Sequence, residues 1–335
     1  MNLLVLATGG TIGSAAGAGG IDADGSRTPL LLQMYRARYG GDVRFTPRQI
    51  CTLLSENADR AFYETLLAAL FAAMAEPFDG VIVLHGTDTL PFTASLAAMA
   101  CRHFTKPVCF VSSVFELCDP RENGVSNLRA AVRYIEAGGA GFVVPFGQAG
   151  GECRVHLATR LLEADPFTDD FASAGAPAAV VAGDEVRFAR SADVPDRQTL
   201  RRPLPALFAA PPRLPGRVVL LRCFPGMCPQ ASAVSADTAA VLLWGYHSGT
   251  APQRLTRFVK QVQAAGAAVY LAPVKRAPRQ YASTNALLES GARPLYALSA
   301  PAAYARLLLA YAQTADAPES AAQRTLYYEE VPAHS

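Results

Sequence analysis

Two short segments of this chain combine hydroxyl, carboxyl and glycine residues in an order suited to nucleophilic chemistry. The first is Thr8-Gly9-Gly10-Thr11-Ile12-Gly13 and the second is His85-Gly86-Thr87-Asp88-Thr89. Glycine lets backbone N–H groups turn toward a ligand and approach it closely. A threonine hydroxyl beside such N–H groups can attack a carbonyl carbon while the N–H groups receive the developing oxyanion. Asp88 adds an anion that can face an ammonium group. Taken alone, the first segment also fits a tight turn followed by a helix N-cap. The second also fits a Thr-Asp-Thr cap before a helix starting near Phe92. Gly9, Gly10 and Gly13 lack the G-x-G-x-x-G spacing of a dinucleotide loop.

Both segments follow apolar runs, Leu3–Ala7 and Gly80–Leu84, that fit strands buried on both faces. Runs of the same kind recur at Val108–Val111, Gly141–Phe146, Val218–Cys223, Ala240–Trp244 and Ala268–Leu271. Helix-period segments lie between or after them at Asp59–Met74, Phe92–His103, Ser126–Ala137, Gln253–Ala264, Asn285–Glu289 and Ala302–Ala312. This alternation predicts an α/β fold with parallel sheets and helices on both faces. In such sheets ligands bind beyond the carboxyl ends of the strands, where both threonine segments fall.

The rhythm breaks between Arg190 and Gly216, which contains six prolines. Proline removes a backbone donor and fixes φ, so this stretch predicts a linker without helix or central strand. The expected organisation is an N-terminal α/β domain over residues 1–190, a linker over 191–213 and a smaller α/β domain over 214–335. The Ala/Gly-rich stretch Ala15–Gly20, with Asp22–Gly25, predicts a flexible loop and a candidate lid over the threonine segments.

Of the 335 residues, 30 are basic and 28 acidic, a net charge of +2 that gives no argument for nucleic acid or an anionic membrane. Seven cysteines, an odd number without a C-x-x-C pair, argue against a disulfide framework or zinc knuckle. The five histidines show no H-x-x-x-H spacing, so no metal is expected. The short apolar start has no preceding basic residue, and no stretch approaches the ~20 apolar residues of a membrane span. A cytoplasmic protein is expected.

The paired motifs resemble those of the L-asparaginase family, which carries T-G-G-T-I near its N-terminus and H-G-T-D-T further along. Lys106-Pro107-Val108, Arg121-Glu122-Asn123-Gly124 through Asn127-Leu128, Pro225-Gly226 and Tyr281–Leu287 are similar to further family segments. The resemblance implies that Thr11 is the nucleophile, Thr87 the second catalytic threonine, and Asp88 the group that holds the substrate's α-amino group. It implies Ser55 as the residue that binds the α-carboxylate. Glu56 either contacts the ammonium or caps the helix starting near Asp59. It further implies no cofactor, and a homodimer or homotetramer in which a partner's C-terminal domain closes each site.

Three positions depart from the family pattern. Arg160, in Leu157-Ala158-Thr159-Arg160, stands where the family has a lysine that activates the second threonine. Arginine stays charged at working pH, so it can orient Thr87 and stabilise negative charge but cannot act as a general base. Ile21 stands where many members have a loop tyrosine. The T-G-S-Q turn becomes Val111-Ser112-Ser113-Val114. The resemblance therefore implies cleavage of the side-chain amide of asparagine or a related amino-acid amide. The alternative is a catalytically impaired protein that binds a small amino acid as a sensor or non-catalytic subunit. An ammonia-generating subunit of a tRNA amidotransferase would call for a basic RNA-facing extension, which neither charge nor length suggests. His85 reads as a structural hydrogen-bonder, and Trp244 and Tyr246 as packing residues or, alternatively, as residues lining the cleft or an interface.

Overall fold

Strands that are apolar on both faces are stable only when both faces are covered, and the chain supplies the covering helices between them. The computed structural model describes residues 1–9, 14–17, 20–23, 27–148, 150–229, 234–277, 279–312 and 317–332, with backbone alone at 14–17, 20–23 and 27. The chain divides into two compact units, Met1–Pro211 and Pro212–Ser335. Each is an α/β unit.

In the first unit the elements run β1 (Asn2–Gly9), β2 (Ser14–Gly17), β3 (Gly20–Ala23), α1 (Arg27–Tyr39), β4 (Arg44–Leu53), α2 (Arg60–Met74), β5 (Gly80–Leu84), α3 (Leu90–Ala100), β6 (Val108–Val111), α4 (Gly124–Glu136), β7 (Phe142–Phe146), β8 (Cys153–Leu157), β9 (Ala179–Ala182), β10 (Glu185–Phe188) and α5 (Arg197–Arg201). Among the described residues they build an eight-stranded sheet of order β10-β9-β8-β7-β6-β5-β1-β4. From β4 to β7 the pairs are parallel, whereas β8, β9 and β10 extend the sheet antiparallel. Leu3, Val5, Ile82, Leu84, Cys109, Val111 and Val143 form one core with Leu31, Tyr35, Leu128 and Ala131 of α1 and α4. Alternate residues such as Leu4, Leu6, Val83 and Phe110 are buried on the opposite face. There α2 brings Phe62 to within 5.6 Å of the His85 ring.

Two expectations need correction here. The Ala/Gly stretch after Thr11 is expected to be a flexible loop without regular structure. Its described backbone instead pairs as an antiparallel ribbon, Ser14 opposite Ala23 through Gly17 opposite Gly20. The proline-rich stretch was expected to hold no helix. It contains α5, because Arg197–Arg201 is free of proline and Asp196 caps it, accepting from the Thr199 N–H at 2.7 Å.

The second unit contains β11 (Arg217–Arg222), β12 (Thr238–Trp244), α6 (Leu255–Ala264), β13 (Ala268–Val274), α7 (Ala282–Glu289), β14 (Arg293–Tyr296), α8 (Ala300–Ala312) and α9 (Pro318–Ala321). Among the described residues its four strands pair in parallel in chain order. Arg306 of α8 is almost fully buried, and its Nη2 lies 2.6 Å from Oε1 of the buried Glu329. The same carboxylate accepts from the backbone N–H of Leu326 at 2.7 Å and of Tyr327 at 2.6 Å, which fastens the chain after α9 to α8. Among the described residues no helix is long and apolar enough to cross a membrane.

Candidate functional site

Because β1 pairs with both β4 and β5, the ends of three strands meet at one edge of the first sheet. Gly9 closes β1 with φ of +102°, and a Cβ there would stand 2.5 Å from the carbonyl oxygen of Leu53 at the end of β4. Only glycine allows that approach. On the other side, the Thr8 hydroxyl donates to the carbonyl of Leu84 at 2.7 Å, holding the end of β1 to the end of β5. The chain leading into each threonine segment is thus locked to its neighbours.

Beyond β5 the chain passes through His85-Gly86 into the turn Thr87-Asp88-Thr89 and then into α3. Beyond β4 a single 3-10 turn, Ser55–Asn57, precedes α2. These two segments are in direct contact. Thr89 Oγ1 donates to the carbonyl of Ser55 at 2.8 Å, and Ser55 Oγ lies 3.5 Å from Asp88 Oδ2. Ser55 is buried, Thr87 half-buried and Asp88 exposed. At 3.5 Å the hydroxyl is at the outer limit of a hydrogen bond, so the carboxylate keeps acceptor capacity for a ligand.

The structure separates several alternatives that the residues left open. Thr89 occupies the N-cap position of α3 but makes no side-chain cap bond; its hydroxyl donates instead to the carbonyl of Ser55. Asp59, not Glu56, caps α2, accepting from the Phe62 N–H at 2.9 Å. Glu56 is exposed on the turn next to Ser55. His85 is buried, with Nδ1 2.7 Å from the carbonyl of Gly86, and burial lowers its pKa to about 4. It is therefore a neutral ring that braces the glycine before Thr87. Thr11, with Gly10, Ile12 and Gly13, lies outside the described residues.

Arg160 ends a 3-10 turn, Ala158–Arg160, that follows β8 and is fully buried. Its Nη1 donates to the carbonyl of Asp193. The turn is packed on α3, where Ser95 Oγ donates to the carbonyl of Ala158 at 3.2 Å. The segment carrying Arg160 thus rests on the same helix that Thr87 and Asp88 lead into.

Beside β5, the residues after β6 supply a feature that spacing alone did not reveal. Ser112 lies next to His85 across the β5–β6 pair, where the His85 N–H donates to Val111 at 3.0 Å. Its backbone carbonyl accepts from Asn127 Nδ2 at 2.9 Å, but its buried hydroxyl has no hydrogen-bond partner among the described residues. Ser113 Oγ is 2.9 Å from Asn123 Oδ1, and Asn123 Nδ2 donates to Gly147 at 2.9 Å, which ties the ends of β6 and β7 together. Only the Val-Ser-Ser-Val departure from the family turn pointed to this place. Among the described residues no group of three or more His, Cys, Asp or Glu side chains is placed to hold a metal ion.

This arrangement can be set against known proteins. Residues 2–193 match the family model described as Asparaginase, N-terminal. The chain is similar to an L-asparaginase of Thermococcus kodakarensis, 31% identical over 257 residues, which are 76% of this chain and 74% of that protein. It is also similar to one subunit of a glutamyl-tRNA(Gln) amidotransferase of Halobacterium salinarum, 28% identical over 197 residues. That match covers 57% of this chain and 45% of the amidotransferase subunit. Among solved structures, the thermostable L-asparaginase of Thermococcus kodakarensis superposes with a TM-score of 0.80 and 27% identity, covering 99% of this chain and all of that one. L-asparaginase I of Vibrio cholerae shares the fold, with a TM-score of 0.77 at 22% identity over 99% of both chains. A match to the family model over more than half of its length means that this chain belongs to the asparaginase family.

Proposed function

We propose that this chain is an amidohydrolase that cleaves the side-chain amide of L-asparagine, or of a closely related amino-acid amide, to the acid and ammonia. The observation that carries this reading is the contact of Ser55 with Asp88: a hydroxyl and an exposed carboxylate, 3.5 Å apart, at the sheet edge where β1 and β5 end. Such a pair suits a zwitterion, the carboxylate facing its ammonium and the hydroxyl its carboxylate. Thr11 would attack the amide carbon through Oγ. Its proton passes to water, since Arg160 holds its own proton. Backbone N–H groups of the two glycine turns take the charge on the carbonyl oxygen. The C–N bond breaks as the departing nitrogen gains a proton, ammonia leaves, and water then cleaves the acyl-threonine ester. The β2–β3 ribbon, which follows Thr11 closely in the chain, is the segment proposed to close over the ligand. A homo-oligomer working in the cytoplasm belongs to the same reading.

Ammonia release from L-asparagine, L-glutamine and D-asparagine tests it, with Asp88→Ala as the control. Turnover of one of these, lost in Asp88→Ala, is the expected result. A second reading rests on Arg160, whose guanidinium is engaged with Asp193 where a lysine base would be needed: a protein that binds a small amino acid without turnover. Stabilisation against heat by L-aspartate, without ammonia release from any amide, would select it.

A further inference from the structure

The end of α1, the first half of α4 and the β9–β10 turn enclose a cleft of about 470 Å³ in the first unit. That is more room than an inorganic ion fills and suits a small organic molecule. Arg38, Tyr39, Arg129 and Asp184 give the cleft its polar lining, and Ala130 and Val181 add apolar surface. None of these residues belongs to the edge where Ser55 meets Asp88. The charged lining is two cations against one anion. Both guanidinium groups lie at the Tyr39 ring, that of Arg38 5.6 Å and that of Arg129 5.0 Å from its centre.

The two arginines are held differently. Arg129 donates from Nη1 to the Tyr35 hydroxyl at 3.2 Å and pairs through Nη2 with the Asp184 carboxylate, which fixes the direction of its guanidinium. Arg38 is exposed, and its ion pair is a 3.6 Å contact with Glu122, whose other oxygen accepts from the Val125 N–H at 3.0 Å. Asp184 is the movable part. With Gly183, whose φ is +60°, it forms the turn between the paired residues Ala182 and Glu185. Its backbone carbonyl is anchored, accepting from Arg133 Nη2 at 2.8 Å and Nε at 3.2 Å. Its side chain is 73% exposed, and Arg133 Nε, 3.5 Å away, offers the carboxylate a second cation. The carboxylate can therefore leave Arg129 without loss of the turn.

We propose that this cleft binds a phosphate monoester of a small organic molecule, its phosphate replacing the Asp184 carboxylate on Arg129 and engaging Arg38, its uncharged body resting on Ala130 and Val181. Guanidinium forks match phosphate oxygens in pairs, and two arginines suit a dianion better than they suit one carboxylate. The exchange gives up a solvent-exposed ion pair, which is worth little, for charge-assisted bonds to two arginines. Asp184 thus acts as a built-in competitor on the positive wall. A nucleotide and a sugar phosphate share this chemistry and differ in the body that the apolar surface receives.

Titration calorimetry of the full chain with adenosine monophosphate, glucose phosphate and inorganic phosphate tests this. At least one of the two monoesters should bind with a Kd below about 1 mM and more tightly than inorganic phosphate. The tighter monoester shows whether the body is a nucleoside or a sugar. Arg38→Ala, an exposed change that leaves the circular dichroism of the fold intact, should weaken that binding about tenfold, the worth of a charge-assisted bond. Asp184→Asn should tighten it, because the competitor on Arg129 is gone; a merely structural role for Asp184 would give the opposite sign. The proposal is overturned if neither monoester binds below about 1 mM or neither exceeds inorganic phosphate. It is equally overturned if Arg38→Ala binds like the parent or Asp184→Asn binds no more tightly. Ammonia release plays no part in the readout, so the amidohydrolase reading stands or falls separately.

Discussion

The hydroxyl of Thr89 reaches across to the carbonyl of Ser55, 34 residues earlier in the chain, at 2.8 Å. That bond fixes the distance between the two segments on which the proposed grip of the substrate depends. Thr89 itself needs no contact with the ligand. Thr89→Val removes the donor and keeps the shape, so Ser55 should drift from Asp88. The expected outcome is a KM raised about tenfold, a smaller change in kcat, and a stability loss of about 1 kcal/mol, the usual worth of one hydrogen bond. Steady-state ammonia release and thermal unfolding measure the two effects.

Arg160→Lys replaces a permanently charged group by one that can lose its proton when buried. The exchange should raise kcat for the amide and make it increase toward alkaline pH, where the amine is free. It should also lower thermal stability, because the planar guanidinium bond to Asp193 is lost. A pH–rate profile compared with that of the parent protein decides the first point.

Burial lowers the pKa of His85 and of His156 to about 4, from an ordinary value near 6.5. The fold thus favours the neutral rings. Their contribution is fully present above pH ~6.5 and is lost as pH falls from there toward about 4, while the unfolded chain takes up protons that the folded chain refuses. The effect is on the order of 3 kcal/mol per ring. His156 is the cleaner case, since Nδ1 sits 2.7 Å from Ser173 Oγ and its buried Nε2 has no partner among the described residues. Chemical denaturation between pH 4 and 7 should show the slope, and His156→Gln should flatten part of it.

Arg306→Met leaves Glu329 as a buried carboxylate with two backbone donors and no cation. Breaking a buried pair on one side costs about 3–5 kcal/mol. The second unit should unfold at clearly lower denaturant, with the first unit little changed, when the two transitions are followed separately.

Much of the fold was legible because continuous apolar runs leave few choices. The stretches around Leu3–Ala7, Gly80–Leu84, Val108–Val111 and Ala268–Leu271 are strands, and Asp59–Met74 and Ser126–Ala137 hold helices within a residue or two of the expected ends. β4 escaped notice because Arg44, Pro47, Arg48 and Gln49 look unlike a strand; it lies at the sheet edge, where proline and charge are tolerated. α1 escaped because little more than Leu31, Leu32 and Tyr35 is deeply buried, too few to set a period. β9 and β10 are four residues each, and half their side chains face outward. The meeting of Ser55 with Asp88 was legible only through the family motifs, since it depends on β4 and β5 flanking β1.

β4 has a further importance. Ser55 sits just past a strand that, among the described residues, is held on one side only, by β1. Edge strands fray at lower cost than the interior of a sheet. Warming should therefore loosen the arm proposed to bind the substrate's carboxylate while the interior strands still resist hydrogen exchange, so ligand affinity fades over a range of temperature in which the molecule still counts as native.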